Sequence, residues 1–195
     1  MKKRLLAAGL LLYLAALVWA QDGSYAMENR KKGSQSIELS PGGFLPLFVL
    51  DSTYALYPQT NMNPGAVFGI QYRYMLSPHI AVGGSLSGSF VTTIGGRTLF
   101  LAPICATASW LGGSDALEFD LSLEAGLNIM RLSGNGLISP IVKAGAGLSR
   151  YISDAWSIGG RFSWWFVPEL HTGAYANLNS YGNFLEFGIS ARYHF

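Results

Sequence analysis

Residues capable of acid–base or nucleophilic chemistry are few in this sequence and lie far apart. The three histidines are His79, His171 and His194. No cysteine or carboxylate stands at metal-ligand spacing from any of them, so we expect no metal site and no cofactor. His171 is the one loop histidine, and its conceivable partners for a nucleophile and a base are Ser52, Asp51 and Ser180. We therefore expect no enzyme, and hydrolytic chemistry around His171 is the third-ranked hypothesis.

A second chemically capable set consists of charged residues at positions where polar and apolar side chains alternate. Its members are Glu38, Arg73, Glu118, Asp120, Glu124, Lys143, Arg161, Glu186 and Arg192. Five acids and four bases can pair if they face one enclosed space. Unpaired charges in such a space are costly unless water reaches them. The set therefore predicts either an ion-paired polar core, which we favour, or the lining of a narrow wet path.

The elements that carry these charges have a period of two. Between residues 117 and 129, Leu, Phe, Ala and Ile occupy the odd positions, and Glu, Asp, Ser and Asn occupy most of the even ones. Side chains alternate between the two faces of a strand, so this pattern predicts a β-strand with one apolar face. Similar patterns predict eight strands: 36–47, 66–76, 80–91, 98–110, 117–129, 138–148, 156–166 and 184–195. Pro103 lacks a backbone donor and requires a bulge or a local gap in its ladder.

The last strand ends the chain on an aromatic residue. It resembles the final strand of bacterial outer-membrane β-barrels, which ends in Phe after alternating apolar residues. The resemblance implies a recognition signal for the barrel-insertion machinery. The matching residues are Phe187, Ile189, Ala191, Tyr193 and Phe195.

The beginning of the chain has the pattern of a secretory signal. Lys2, Lys3 and Arg4 precede an apolar run over 5–18, and Val18-Trp19-Ala20 precedes polar residues. Fourteen apolar residues are fewer than the roughly 20 that a spanning helix needs. We predict a cleaved signal peptide at 1–20, a polar periplasmic leader at 21–33 and a barrel domain at 34–195. Cleavage lowers Lys plus Arg from 13 to 10 against 11 Asp plus Glu, so nucleic-acid binding is not expected.

The direction of the apolar face separates a soluble barrel from a membrane barrel. Eight strands enclose a space only just wide enough for side chains, and the many Phe, Tyr and Trp residues of the apolar face are too large for it. We therefore predict that this face is directed outward, towards lipid. Trp and Tyr favour the membrane interface, which predicts a periplasmic aromatic girdle. Its predicted members are Tyr72, Tyr74, Trp110, Tyr151, Trp156, Tyr193 and Phe195.

The predicted architecture is an all-β, eight-stranded antiparallel up-and-down transmembrane β-barrel with short periplasmic turns and longer extracellular loops, at 49–64 and 168–183. As a whole it resembles the small outer-membrane proteins of the OmpA transmembrane-domain, OmpX and OmpW families. This resemblance implies residence in outer-membrane lipid. The single Cys105 excludes an intrachain disulfide and is interpreted as a packing residue.

Three functions are consistent with this architecture. The first is a narrow channel or transport facilitator for small, hydrophobic solutes, as OmpW-like proteins suggest. The second is a structural or adhesin-like surface protein that binds ligands through its two long loops. The third is a lipid-modifying enzyme, although the His-x-Ser signature of the outer-membrane deacylases is absent: Thr172 and Gly173 follow His171. The sequence does not define an oligomeric state.

Overall fold

The computed structural model describes residues 29–114, 116–171 and 173–195; the predicted signal peptide and most of the predicted leader lie outside them. Eight long strands dominate these residues: β1 Gln35–Leu50, β2 Gly65–Ser77, β3 Ile80–Thr92, β4 Thr98–Gly113, β5 Leu117–Leu132, β6 Asn135–Tyr151, β7 Trp156–Glu169 and β8 Ser180–His194. A two-residue strand, Leu56–Tyr57, folds back on the end of β1, and a 3₁₀ helix spans Gly173–Leu178. Across the described ranges no helix is long and apolar enough to cross a membrane.

The strands form a closed antiparallel barrel. Each strand pairs with the next in sequence, and β1 also pairs with β8, from Ser36 opposite His194 to Leu50 opposite Tyr181. The β1–β8 register shifts once, between Pro46 and Phe48. Closure leaves no long strand with an unpaired edge, which is the requirement for strands in lipid. The predicted eight-stranded antiparallel barrel is confirmed.

Pro103 produces a gap rather than a bulge. The β3–β4 pairs on either side of it, Leu86–Ile104 and Ser89–Leu101, keep one register. Towards β5, Pro103 itself stands opposite Asn128. The missing backbone donor therefore interrupts one ladder locally without shifting its register.

The connections differ between the two ends of the barrel. One end holds the two chain termini of the described barrel and three short turns, after β2, β4 and β6. The other end, called here the loop end, holds long connections at 51–64 and 170–179 and short ones at 93–97 and 133–134. The predicted loop at 168–183 is wrong at both edges, because β7 and β8 continue to pair as far as Glu169 opposite Ser180. The predicted loop at 49–64 likewise begins too early, since β1 extends to Leu50.

The two faces of the barrel wall have opposite chemistry. Along β5, Leu121 and Leu123 are 52% and 58% exposed, whereas Glu118 and Glu124 are 1% and 2% exposed. The other strands repeat this alternation, with most of their large apolar residues on the outside. An apolar outer wall around a charged interior is the arrangement that lipid requires of a spanning barrel.

The seam between β1 and β8 generates the first prediction. A Cβ atom added to Gly188 would collide with the backbone carbonyl of Pro41 and lie 2.9 Å from Gly42 Cα, whereas one added to Gly160 meets only Gly188 O, at 3.6 Å. Both Gly→Ala changes lower the conformational entropy of the unfolded chain by the same amount, so this effect cancels in the comparison. We expect Gly188→Ala to lower the free energy of unfolding by about 1–3 kcal/mol relative to Gly160→Ala. Urea unfolding in lipid vesicles measures the difference, and equal stabilities would contradict the close approach.

Candidate functional site

Arg192 is the centre of an ion-paired network inside the barrel. It lies on β8 and is 3% exposed. Its Nη2 donates to Glu38 Oε2 at 2.6 Å and to Asp120 Oδ1 at 3.2 Å, while Nη1 pairs with Glu118. The Tyr151 hydroxyl donates to the other oxygen of Glu118, at 2.8 Å. Residues from four strands are thereby joined across the interior near the short-turn end.

Arg73 shares two carboxylates with Arg192, and Arg161 extends the network to Glu124. Arg73 Nη2 lies 3.0 Å from Asp120 Oδ2 and 3.7 Å from Glu38 Oε2. Arg161 forms ion pairs with both Glu38, at 2.7 Å, and Glu124, at 3.4 Å. Glu38, Asp120 and Glu124 each contact at least two cations, so each of these three carboxylates is compensated by ion pairs.

The last cation of the network is Lys143. Its Nζ lies 2.8 Å from Glu124 Oε2 and 4.7 Å from the ring centroid of Trp165. Trp165 Nε1 in turn donates to Glu186 Oε2 at 2.8 Å. Trp165 therefore ends the charged layer on one side and begins an apolar layer on the other.

That apolar layer fills the barrel above the charges. Phe44 packs on Trp165 at 4.7 Å and on Phe184 at 5.0 Å between ring centroids. Leu101, Ile141 and the other members of this cluster are almost fully buried. Charged and apolar side chains thus occupy successive levels of the barrel interior.

A cavity of about 510 Å³, called here the mouth cavity, opens above the apolar layer at the loop end. Most of its lining is apolar, and its floor includes Leu101, Val167 and Phe184 of the apolar layer. Hydrogen bonds between the loops fix its rim: Asn63 N donates to Thr92 O at 2.8 Å and Ile94 N to Asn61 O at 2.9 Å. The cavity is thus preformed.

Glu169, His171 and Ser180 form the polar side of the mouth cavity. The Ser180 hydroxyl donates to Glu169 Oε2 at 3.2 Å, and His171 Nε2 lies 3.2 Å from Glu169 Oε1. The backbone N–H of His171 donates to Asn179 Oδ1 at 2.6 Å. The serine hydroxyl thus binds the carboxylate, which is not the geometry of a serine activated by an imidazole base.

Asp51, another candidate partner of His171, accepts hydrogen bonds from its own loop instead. The Thr53 hydroxyl donates to Asp51 Oδ1 at 2.7 Å, and the backbone N–H groups of Ala55 and Thr53 donate to the same oxygen at 2.9 and 2.8 Å. These bonds, with that of the Thr53 hydroxyl foremost, lower the pKa of the Asp51 carboxyl. Asp51 and His171 thus have separate hydrogen-bond partners.

The structure places all nine predicted charged residues on the inner face of the barrel. Eight are at most 4% exposed, and the side chain of Arg161 is 8% exposed. The predicted insertion-signal residues lie on β8 or directly after it, and four of them are exposed: Phe187, Ile189, Tyr193 and Phe195. Recognition by insertion machinery stays a prediction.

The predicted aromatic girdle is corrected at one position. Tyr72, Tyr74, Trp110, Trp156, Tyr193 and Phe195 are each between 36% and 56% exposed. Tyr151 is only 5% exposed and directed inward, where its ring packs at a tilt against that of His194, with 5.0 Å between the ring centroids. Tyr151 lies an even number of residues from Lys143 and Ser149 on β6, so its side chain points to the same, inner face. Its hydroxyl donates a hydrogen bond to Glu118.

The sequence predictions missed the apolar layer and the mouth cavity. Trp165 follows Arg161 and Ser163 at alternate positions of β7, and Phe184 stands two residues before Glu186 on β8. Both aromatic residues therefore share the inner face with these polar residues. Alternation therefore carried the signal for both residues. Of the three residues at the polar side of the cavity, the sequence suggested His171 and Ser180 as possible partners but not Glu169, because the three meet only where the β7–β8 ladder extends beyond its apolar part.

The closed barrel, its apolar outer wall and its ion-paired interior define the class: a small eight-stranded outer-membrane β-barrel protein. A family model matches residues 19–193, and the chain belongs to the family that this model defines.

Solved structures with this fold come from several bacteria. Neisserial surface protein A has a TM-score of 0.62 at 11% identity, over 84% of this chain and 100% of that one. OprG of Pseudomonas aeruginosa has a TM-score of 0.51 at 10% identity, over 89% and 99%. Ail, the attachment invasion locus protein of Yersinia pestis, has 0.50 at 16% identity, over 84% and 99%. At these identities the likeness concerns the fold alone.

One sequence relative is an uncharacterized protein of Treponema pallidum (strain Nichols). It is 30% identical over 96 residues, which are 49% of this chain and 44% of the relative. The chain therefore matches less than half of that protein's length.

The Arg192 network generates the second prediction. Arg192→Met removes the ion pair between Arg192 and the buried Glu118, and it also removes one cation from Glu38 and from Asp120. Breaking a buried ion pair from one side costs about 3–5 kcal/mol. We expect the free energy of unfolding, measured with urea on the barrel in vesicles, to fall by this amount. Arg131→Met, at an exposed position on β5, is the control and is expected to change stability by at most about 0.5 kcal/mol. Similar values for both variants would refute the network's role.

Proposed function

We propose that this outer-membrane barrel binds a small, mainly apolar molecule in its mouth cavity and that the loop end faces the cell exterior. The observation that carries the proposal is the preformed cavity of about 510 Å³ above a filled interior. Binding sites for small molecules are typically concave, apolar and about 300–1,000 Å³ in volume, with a few polar groups. The mouth cavity has each of these properties.

The two long loops supply part of this site. Thr60 and Met62 come from the connection 51–64, and His171 comes from 170–179. The proposal therefore joins two of the hypotheses from sequence: a surface ligand bound through the loops, and a small hydrophobic solute. Thr93 of the short connection 93–97 bridges to Met62 and supports the same rim.

The floor of the cavity favours binding over passage. A solute in the mouth cavity meets Leu101, Val167 and Phe184, and beneath them Trp165, which is fully buried. Below Trp165 lie Lys143 and the ion-paired network. Passage would require several neutralised pairs to separate in a medium of low dielectric constant, where the cost is high.

A narrow channel is the second candidate, and one observation favours it. Along β3, β4 and β5 a row of buried side-chain polar atoms has no protein partner: those of Ser89, Thr107, Ser109, Ser122 and Asn128. Buried polar groups of this kind are usually satisfied by ordered water. A hydrated path beside the ion pairs is therefore the arrangement by which this barrel would conduct.

The third prediction tests binding with the full barrel in nanodiscs of zwitterionic lipid, by equilibrium dialysis of 1-naphthylmethanol. We expect saturable binding above that of empty nanodiscs. Leu99→Trp fills the mouth cavity and is expected to reduce the affinity at least tenfold, because Leu99 lines it. Leu127→Trp, on the exposed outer face of β5, is the matched control and should bind like the unmodified barrel.

Binding that is the same for Leu99→Trp and Leu127→Trp would contradict the proposal.

The fourth prediction separates the two candidates by planar-bilayer recording, in which the binding proposal expects no single-channel steps. Reproducible steps that disappear in Thr107→Leu would favour the hydrated path instead.

A further inference from the structure

We propose that the mouth cavity selects an amphipathic organic cation: a molecule with a compact apolar body and a protonated amine at one end. This inference rests on the proposed function and specifies the chemistry of its ligand. It begins from the charge on the cavity wall. Among the described residues that line the cavity, Glu169 is the one carboxylate, and no lysine or arginine belongs to the lining.

Neighbouring side chains hold the Glu169 carboxylate in position, and no lysine or arginine is among the described residues that line the cavity beside it. Ser180 Oγ donates to one of its oxygens and His171 Nε2 lies against the other, both at 3.2 Å. Its side chain is 39% exposed. A carboxylate has roughly four acceptor positions, so two neighbours leave capacity for a ligand donor.

The position of Glu169 is fixed by the sheet as well as by its side-chain contacts. It is the last residue of β7 and pairs with Ser180, the first residue of β8. The adjacent pair is Pro168 opposite Tyr181. The Tyr181 ring stacks on that of Phe166, with 5.9 Å between the centroids, and this contact stabilises the strand pairing next to Glu169. The carboxylate is therefore presented by a rigid strand end, which favours a defined ligand orientation.

The rest of the cavity determines what accompanies the cation. Leu99, Leu101, Met130 and Phe184 offer an apolar surface within the same cavity. A hydrated metal ion would leave this surface unused, and no group of three His, Cys, Asp or Glu residues suited to a metal occurs among the described residues. An apolar body with an amine uses both parts of the site, because the body leaves water while the amine pairs with a half-exposed carboxylate.

The test compares two probes with the same ring system, 1-naphthylmethylamine and 1-naphthylmethanol, on the full barrel in zwitterionic nanodiscs. We expect the amine to bind about tenfold more tightly than the alcohol. Glu169→Gln retains an oxygen for Ser180 but removes the charge. It should lower the affinity for the amine to about that for the alcohol, so that the two probes bind this variant alike.

Asp154→Asn is the matched control, since it removes one acid from the exposed turn at the opposite end. It should preserve the tenfold preference. A measurement without mutation supports the same conclusion: raising the ionic strength should weaken amine binding to the unmodified barrel more than alcohol binding.

The outcomes distinguish this inference from the proposed function. Equal affinity for both probes in the unmodified barrel, or a preference that persists in Glu169→Gln, would overturn the inference while the binding function stands. Failure of both probes to bind above empty nanodiscs would overturn the binding function, and the inference with it.

Discussion

Charge neutralisation inside a narrow barrel is the constraint on which the rest of this structure depends. An ion moved from water into a protein interior loses several kcal/mol of solvation unless partners replace the water. Glu38 meets this condition with Arg73, Arg161 and Arg192 within 4 Å. Because each partner comes from a different strand, the ion pairs can form only when the barrel is closed.

Space for these long side chains comes from the small residues beside them. A Cβ atom on Gly147 would lie 2.7 Å from Asp120 Oδ1, and one on Gly145 would lie 2.9 Å from Ser122 Oγ. The two glycines of β6 therefore leave room for the side chains of Asp120 and Ser122 on β5. The filled interior then serves as the support for the apolar layer, and the apolar layer is the floor of the mouth cavity. The proposed binding function thus depends on the same packing that closes the barrel.

The sequence was sufficient for the strands and for the direction of the charged face, because alternation is a local property that every spanning strand must obey. It was less informative for aromatic residues. Trp165, Phe184 and Tyr151 look like lipid-facing residues by composition, and only their phase relative to neighbouring polar residues places them inside. The Glu169 site was beyond local patterns, since ten residues separate Glu169 from Ser180 and only strand pairing joins them.

The most direct test of this account is spin-label accessibility along β5, with single cysteines introduced from 118 to 129 in a Cys105→Ser background and the barrel in lipid vesicles. The account predicts a period of two. Labels at Leu121, Leu123 and Leu127 should collide readily with oxygen dissolved in the bilayer, and labels at Ser122 and Asn128 should be shielded from it. High oxygen accessibility at the even positions, or no alternation, would contradict an apolar wall around a closed, ion-paired interior.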